Sequence, residues 1–475
     1  MRRRLVDRLD RRLVNVLTVL GFGLPVVGYF VLVHQGSVNV IVSDQLSDLT
    51  VIEHSYTHLF DWGSLWAQHN ENRIFFPNLI VVLSAHTTAF NVQIEEYLSA
   101  VMLTVATALL IWSHKRRSPD TPWLYYCPVA VLGLSVVQYE NALWGFQMAW
   151  FLVLVAMAIA VLLIDRVTLT WLSMTGALVA ALVGSFSSLQ GLLIWPVGLV
   201  LLYHRRRSRP FFVVWIVTAL VAGVVYFYHF DPNAGAPRHG YALHHPLATV
   251  KFYIFAVGDI LGVPQHYYGP GNNAVLAFGV VILILAVWTL AAYGLRRDDR
   301  RGSPIGVALI CMGLLFVASV TAGRVLFGYT AASQSRYTTY DLLIPVGILL
   351  ALLGGPPLRR RRRGSGGSSD DAPVGSHRAG ASDRRDRRVL LVARWATAAV
   401  VTVQIGIGLH YGIAGARKTH AYDVQAARVL KGIDHESDNV VEGSIDVFGQ
   451  VSFIRGQVRI AQDHHLSVFS DVPGH

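Results

Sequence analysis

The sequence has 475 residues, of which 53% are hydrophobic and 15% are charged, with a mean hydropathy of +0.45 and a formal net charge of +11. Soluble domains carry about 25% charged residues, so this composition, with its repeated apolar runs of about 20 residues, excludes an ordinary soluble protein and indicates a polytopic membrane protein. The two cysteines, Cys127 and Cys311, lie in apolar runs, which argues against a disulfide framework or a cysteine metal site.

The chain begins with the basic segment MRRRLVDRLDRR, which leads into a long apolar stretch. No small-residue cleavage site follows that stretch. We therefore predict an uncleaved signal-anchor helix whose N-terminus faces the cytoplasm.

The apolar runs predict an all-α transmembrane bundle of about eleven spans. Two further apolar stretches, 75–92 and 250–262, contain polar residues such as His86 and Asp259 and are predicted to be interfacial or partly inserted helices. The predicted spans are 13–34, 94–113, 122–138, 142–164, 169–188, 190–203, 211–229, 273–294, 304–323, 339–356 and 389–411.

The basic residues support this topology and argue against a nucleic-acid role. With the N-terminus inside, the cytoplasmic segments hold most of the 40 Lys and Arg residues. This asymmetry is what the positive-inside rule predicts for a bacterial plasma membrane protein whose C-terminus is extracytoplasmic. The outer loops before residue 412 hold Arg73, Arg238, Lys251, Arg324 and Arg336.

Four segments follow from this topology. Residues 1–357 form a transmembrane core, and 358–388 form a low-complexity basic linker that we expect to be disordered in the cytoplasm. Residues 389–411 are the last transmembrane helix, and 412–475 form a small extracytoplasmic tail.

The first outer loop, residues 35–73, is the richest in titratable groups, and we expect interfacial helices in it. If 43–60 is helical, Asp44 and Asp48 share a face, and like charges at that spacing oppose the helix unless a cation, an arginine or a substrate offsets them. The alternative interpretation is that Ser43 or Asp44 caps a helix and Asp48 is solvated.

Other outer turns present polar groups at a similar depth. Glu140 lies in VQYENALWGFQ, Gln190 in SFSSLQGLLIWP, and Arg336 in SQSRYTTYD. An arginine without an adjacent acid at the membrane interface suits a phosphate, although a salt bridge to Asp341, Glu140 or lipid headgroups is the alternative.

The sequence gives no support for a metal or another cofactor. Glu53, His54 and His58 have a spacing that suits a metal poorly. No Gly-rich phosphate loop and no Ser-His-Asp arrangement is evident. We therefore expect no cofactor.

The layout resembles the GT-C superfamily of membrane glycosyltransferases, which use polyprenyl-phosphate sugars as donors. The resemblance covers a first span, a long outer loop with Asp44 and Asp48 near its start, interfacial helices, further spans and a small extracytoplasmic tail. HNENRIFFPNLIVVL (69–83) is similar to the juxtamembrane segment of mannosyl- and aminoarabinosyl-transferase-like members. QYENALWGFQMAWF, SSLQGLLIWPVGL and SRYTT resemble actinobacterial membrane proteins of this general type.

The resemblance implies an inverting enzyme that moves a sugar from a polyprenyl-phosphate donor to an envelope glycan or lipid acceptor at the outer membrane face. Asp44 is then the first candidate for the catalytic base and Asp48 the second. Arg336 or Arg324 would hold the phosphate. His69 and Arg73 would assist, and Glu140 and Gln190 would bind sugar or support the network. The oligomeric state stays open.

Three other functions remain compatible with the sequence. A lipid-linked glycan ligase or polymerase would centre its chemistry on the loop 230–271. A transporter or flippase would move the lipid without forming a glycosidic bond, and a non-catalytic partner would retain only the fold. The ligase residues would be Arg238, His239, His244, His245 and His266.

Overall fold

The computed structural model describes residues 2–232, 240–264, 271–294, 302–355, 376–445 and 450–470, without the side chains of residues 2–10, 271 and 376–387. The described chain is helical apart from its connections and one hairpin, in which Gln68–His69 pairs antiparallel with Asn72–Arg73. Arg238, His239 and His266, which the ligase hypothesis needs, lie outside the described residues.

The first half of the chain forms the first eleven α-helices. Short 3-10 turns precede several of them, at Ser43–Ser47, Trp123–Tyr126, Val136–Gln138, Gly145–Gln147 and Leu189–Leu193. The helices are α1 (Arg2–Gly36), α2 (Asp48–Thr57), α3 (Trp62–Leu65), α4 (Phe75–Thr88), α5 (Val92–Arg117), α6 (Cys127–Gly133), α7 (Tyr139–Ala142), α8 (Met148–Ile164), α9 (Trp171–Ser185), α10 (Ile194–His204) and α11 (Arg209–Phe227).

The second half of the described chain continues in the same manner. Further 3-10 turns lie at Asp259–Leu261, Val325–Phe327, Ser335–Tyr337 and Ser467–Phe469, and a π-helical turn lies at Leu290–Gly294. The helices are α12 (Tyr241–His244), α13 (Pro246–Gly258), α14 (Gly271–Thr289), α15 (Ser303–Arg324), α16 (Tyr329–Ala332), α17 (Thr338–Asp341), α18 (Leu343–Leu353), α19 (Ser376–Lys431), α20 (Asp438–Ile445) and α21 (Val451–Asp463).

Within the described ranges, 8 helical stretches are long and apolar enough to cross a membrane, which confirms the predicted all-α membrane fold. Two further predicted spans, 169–188 and 190–203, appear as shorter apolar helices. The predicted span 122–138 is divided into the short helix α6 and two 3-10 turns, with Pro128 in the first turn of α6. The eight are Arg11–Gly36, Val92–Arg117, Gly145–Ile164, Arg209–Phe227, Asn272–Gly294, Ser303–Phe327, Ser335–Leu353 and Arg388–Lys431.

Small residues allow the central helices to pack closely. A Cβ added to Gly306 in α15 would lie 2.3 Å from the carbonyl oxygen of Gly347 in α18, a distance that no side chain tolerates. Close backbone approach at glycine is a common way for membrane helices to associate, because van der Waals packing replaces the hydrophobic drive that lipid does not supply.

The helix that contains the last predicted span is longer than the sequence indicated. We predicted a linker over 358–388 and a span that ends at residue 411, whereas α19 begins at Ser376 and continues to Lys431. Residues 356–375 lie outside the described residues. The 44-residue stretch Arg388–Lys431 is about 66 Å long at 1.5 Å per residue, so it extends well beyond a bilayer core and carries the tail with it.

The tail packs against the first loop and forms a second hydrophobic core with it. Leu46 and Leu49 from the first loop are buried together with Ile454 and Leu466 from the tail. The backbone N–H of Ser467 donates to the carbonyl of Ala89 at 2.8 Å. The tail therefore supports the segment that carries the first-loop acids.

Candidate functional site

A cavity of about 350 Å³ opens at the end of the bundle that carries the first loop. It brings together five residues that the sequence singled out. These are Asp44, His69, Gln190, Arg324 and Arg336, which come from four separate parts of the chain.

The first-loop acids do not share one face, because 43–47 is a 3-10 turn and the α-helix begins only at Asp48. Four residues of α-helix rotate a side chain by about 40°, and four residues of 3-10 helix rotate it by about 120°. Asp44 consequently points into the cavity with 45% of its side chain exposed, while Asp48 is 2% exposed and lies outside this cavity.

Asp44 has one histidine and two arginines near it. Its Oδ2 lies 3.9 Å from Nε2 of His69, and Nδ1 of that ring is 3.1 Å from the Ser47 hydroxyl, which donates to the Asp44 carbonyl. Partial burial opposes ionisation of the Asp44 carboxyl, but His69, Arg336 and Arg324 outweigh it and hold its pKa below the ordinary value. Asp44 is therefore an ionised carboxylate at neutral pH.

Asp48 has the opposite electrostatic environment. Burial, followed by the negative charges of Glu95 and Asp44, raises its pKa well above the ordinary value. A raised pKa favours the protonated carboxyl, which cannot accept another proton, so Asp48 suits the role of a base less well than Asp44.

Arg324 enters the cavity from the end of α15. Its Nη2 donates to Oε1 of Glu71 at 2.9 Å, and both side chains line the cavity. Glu71 lies in the hairpin turn, where Asn70 adopts φ 48°, a left-handed conformation that asparagine tolerates better than most residues. A guanidinium has five N–H donors, so this ion pair leaves donors for a ligand.

Arg336 also lines the cavity and is paired with Glu140. Its Nη1 lies 3.4 Å from Oε1 of Glu140, and its backbone N–H donates to Oε2 of the same residue at 3.2 Å. The guanidinium carbon also lies 5.9 Å from the ring centre of Trp144. Of the partners that the sequence suggested, Arg336 therefore takes Glu140, and Glu140 supports the arginine instead of lining the cavity.

Backbone contacts fix the segment that carries Arg336. The Asn141 amide donates to the Arg336 carbonyl at 2.7 Å and to Thr339 Oγ1 at 2.8 Å. The Ser335 hydroxyl donates to the Val137 carbonyl at 2.7 Å. These hydrogen bonds connect the QYENA and SRYTT motifs and position Arg336.

Gln190 lines the cavity and belongs to a small polar network. The Ser188 hydroxyl donates to the Gln190 side-chain oxygen and, at 2.9 Å, to Asn72 Oδ1. Asn72 also accepts from the backbone N–H of Leu189 at 2.9 Å. This network connects the hairpin to the turn before α10.

Arg73 is 5% exposed and does not line the cavity. It donates to the backbone carbonyls of Trp66, Tyr226, Tyr228 and His229 at 2.9 to 3.4 Å. These four hydrogen bonds give Arg73 a structural role, because they connect the first loop to the end of α11.

Several cavity residues were not predicted from the sequence. Glu71 is the most important of them, because it is a second carboxylate in the cavity and neutralises Arg324. Its place two residues after His69 in HNENR could have indicated it. The other polar and aromatic lining residues that were not predicted are Asn70, Asn72, Phe146, Gln147, Ser319 and Tyr337.

One wall of the cavity is apolar. Leu189, Leu192, Leu193 and Val320 line it beside the charged groups. The arrangement offers an ionised carboxylate, two arginines and a lipid-compatible surface within one cavity. These are the groups needed by a reaction at an amphiphilic phosphate ester.

The residues of the competing ligase hypothesis do not gather in this way where they are described. His244 and His245 are exposed, and the His245 ring stacks on Tyr241 at 3.9 Å. Among the described residues, no group of three or more His, Cys, Asp or Glu side chains is placed to hold a metal ion.

No protein-family model matches this sequence, and the comparison with curated proteins finds no match. Among solved structures, the chain is similar to the crystal structure of ArnT from Cupriavidus metallidurans bound to undecaprenyl phosphate. The two chains share 12% identity with a TM-score of 0.48, over 94% of this chain and 88% of that chain. Because the TM-score is below 0.5, we base the functional proposal on the cavity itself.

Proposed function

We propose that this protein is an inverting membrane glycosyltransferase that takes a sugar from a polyprenyl-phosphate donor. The observation that carries the proposal is that Asp44, Arg324 and Arg336 line one cavity beside an apolar wall. We place the reaction at the outer face of a bacterial plasma membrane, with an envelope glycan or lipid as acceptor, because the basic runs of the sequence assign the opposite ends of the helices to the cytoplasm.

Asp44 is the proposed base. The acceptor hydroxyl oxygen attacks the anomeric carbon and transfers its proton to the Asp44 carboxylate. The bond from that carbon to the phosphate oxygen breaks, and its electron pair leaves with the polyprenyl phosphate. The lowered pKa of Asp44 keeps its carboxylate ionised and able to take the proton, although it also makes Asp44 a weak base.

Arg324 and Arg336 are the proposed phosphate ligands. Negative charge develops on the departing phosphate, and two guanidinium groups already fixed by Glu71 and Glu140 stabilise it without reorganisation. The planar fork of arginine suits phosphate oxygens better than the single ammonium of lysine.

The aliphatic wall is the proposed contact for the first isoprenoid units of the donor. Leu189, Leu192, Leu193 and Val320 lie beside the arginines, so a phosphate held by the arginines would place its lipid chain against them. The chain is in apolar surroundings both in the bilayer and on this wall, so close packing, and not transfer from water, favours the contact.

The test is sugar transfer by the purified full-length protein in lipid nanodiscs. Undecaprenyl-phosphate donors with radiolabelled sugars are incubated with envelope glycans or lipids, and new glycosides are separated by chromatography. A labelled glycoside of inverted configuration supports the proposal. Movement of the lipid across the bilayer of liposomes that contain the protein, without a new glycosidic bond, contradicts it and favours a flippase.

A further inference from the structure

A second cavity of about 520 Å³ lies next to the first, on the other side of His69. The imidazole of His69 lines both cavities, so a ligand in the second cavity would lie beside the group that contacts Asp44. The other polar side chains that line it are Ser47, Asp48, Thr50, His54, Asp61, Ser64, Gln68 and Asn78.

Two buried oxygen atoms along this cavity have no hydrogen-bond partner within the described protein. One is Oδ2 of Asp48 and the other is Oδ1 of Asn78, and each side chain is 2% exposed. The Asn78 amide nitrogen donates to the Leu65 carbonyl at 3.0 Å, which fixes the orientation of the amide and leaves its oxygen unpaired. Buried acceptors without donors are costly, so these positions suit a ligand that brings hydroxyl groups.

The charges of the residues that line the second cavity indicate which class of ligand fits it. No Lys or Arg is among the described residues that line this cavity, in contrast to the first cavity with its two arginines. Asp61 is engaged with Nδ1 of His54 at 3.1 Å and caps α3 through the backbone N–H groups of Gly63 and Ser64. A neutral, polyhydroxylated ligand therefore fits better than a second phosphate.

We propose that this second cavity binds the carbohydrate part of the acceptor, with Asp48 and Asn78 as its buried hydrogen-bonding groups. The proposal deepens the proposed transferase function and rests on it. It assigns the two first-loop acids to different tasks, with Asp44 in the donor cavity and Asp48 in the acceptor cavity.

The raised pKa of Asp48 agrees with this task. Burial, followed by the negative charges of Glu95 and Asp44, raises the pKa of the Asp48 carboxyl well above its ordinary value, which favours the protonated form. A neutral carboxyl donates one hydrogen bond and accepts others, and it can therefore pair with a sugar hydroxyl in either direction.

The experiment measures binding of a panel of methyl glycosides (mannoside, galactoside, rhamnoside and arabinofuranoside) to the full-length protein in nanodiscs. Saturation-transfer NMR and calorimetry give the affinities, and native mass spectrometry gives the affinity for undecaprenyl phosphate in parallel. Ala67→Trp fills the second cavity without removing a polar group. Glu53→Trp, at an exposed position on the same loop, is the matched control.

We expect at least one glycoside to bind, Ala67→Trp to weaken it at least tenfold, and Asp48→Ala to weaken it about tenfold. Glu53→Trp and the affinity for undecaprenyl phosphate should not change. Failure of every glycoside to bind the wild-type protein, or binding unaffected by Ala67→Trp, overturns the acceptor site. Glycoside binding that depends on Ala67, combined with no binding of undecaprenyl phosphate, overturns the proposed transferase instead.

Discussion

The carboxylate of Asp44 lies 3.9 Å from Nε2 of His69, and the His69 ring lines both the cavity that contains Arg324 and Arg336 and a second cavity with no Lys or Arg among its described lining residues. The imidazole packs edge-on against Phe146 at 4.9 Å, which restricts its orientation. The proposed base therefore lies beside an oriented imidazole that the two cavities share.

Asp44→Asn removes the proposed base while it preserves shape. We expect kcat for sugar transfer to fall about 10² to 10⁴-fold, the usual contribution of a general base, with unchanged yield of folded protein. Asp463→Asn, at an exposed position of the tail, is the control and should keep wild-type activity. Full transfer by Asp44→Asn would rule out this residue as the base.

Arg336→Lys keeps the positive charge but loses the planar fork. Hydrogen bonds to charged groups contribute about 1.5–3 kcal/mol, so we expect undecaprenyl phosphate to bind roughly 10 to 100-fold more weakly. Arg455→Lys, whose native guanidinium pairs with Asp438 in the tail, is the matched control. Native mass spectrometry measures the affinity of both variants for undecaprenyl phosphate. Equal affinities for the wild type and Arg336→Lys would exclude this arginine from the phosphate site.

The pH dependence of transfer should report the surroundings of Asp44. The pKa of Asp44 is held below its ordinary value, so the ionised base persists to lower pH than it would for an ordinary aspartate. His69→Gln removes the nearest group that lowers this pKa, so the acid limb of kcat should move to higher pH. If the acid limb of kcat stays in place or moves to lower pH in His69→Gln, His69 does not lower the pKa of Asp44.

Arg73→Lys tests the structural role of the buried arginine. The lysine cannot reach the four carbonyls that Arg73 satisfies, so we expect a loss of about 1.5–3 kcal/mol in the free energy of unfolding. The midpoint of thermal unfolding in detergent measures it. The affinity for undecaprenyl phosphate should stay within a factor of two or so of wild type, because Arg73 lies outside the cavity. If Arg73→Lys weakened the binding of undecaprenyl phosphate at normal stability, Arg73 would be part of the phosphate site.

Leu466→Ala tests whether the tail supports the first loop. Leu466 is 0% exposed in the core shared with Leu46 and Leu49, so the truncation should cost about 2–5 kcal/mol of stability. Val440→Ala, 40% exposed on α20, is the control and should cost much less. We expect Leu466→Ala to lower the thermal midpoint together with activity. Normal stability and activity would show that the tail does not hold the loop.

The sequence predicted which residues come together at the cavity better than it predicted the conformation of the first loop. Asp44, Gln190, Arg324 and Arg336 each follow or precede a membrane helix at the same side, so topology alone brings them to one end of the bundle. It could not separate Asp44 from Asp48, because the 3-10 turn that rotates them apart contains Leu46, which is buried with tail residues far away in the sequence.

Ion pairs between distant segments were the other feature that sequence could not specify. Glu71 and Arg324 are 253 residues apart, and no local pattern predicts their contact. Arg73 looked like a phosphate ligand because it is a lone arginine in an outer loop. Its carbonyl partners Tyr226, Tyr228 and His229 come from another helix end, and only the folded chain shows that they occupy its guanidinium.

A cryo-EM structure of the full-length protein with undecaprenyl phosphate would show where the phosphate binds. We predict phosphate density within hydrogen-bond distance of the Arg324 or Arg336 guanidinium, with Asp44 facing it and the lipid chain along Leu192 and Leu193. Phosphate density elsewhere on the protein, with this cavity empty, would exclude the cavity as the donor site.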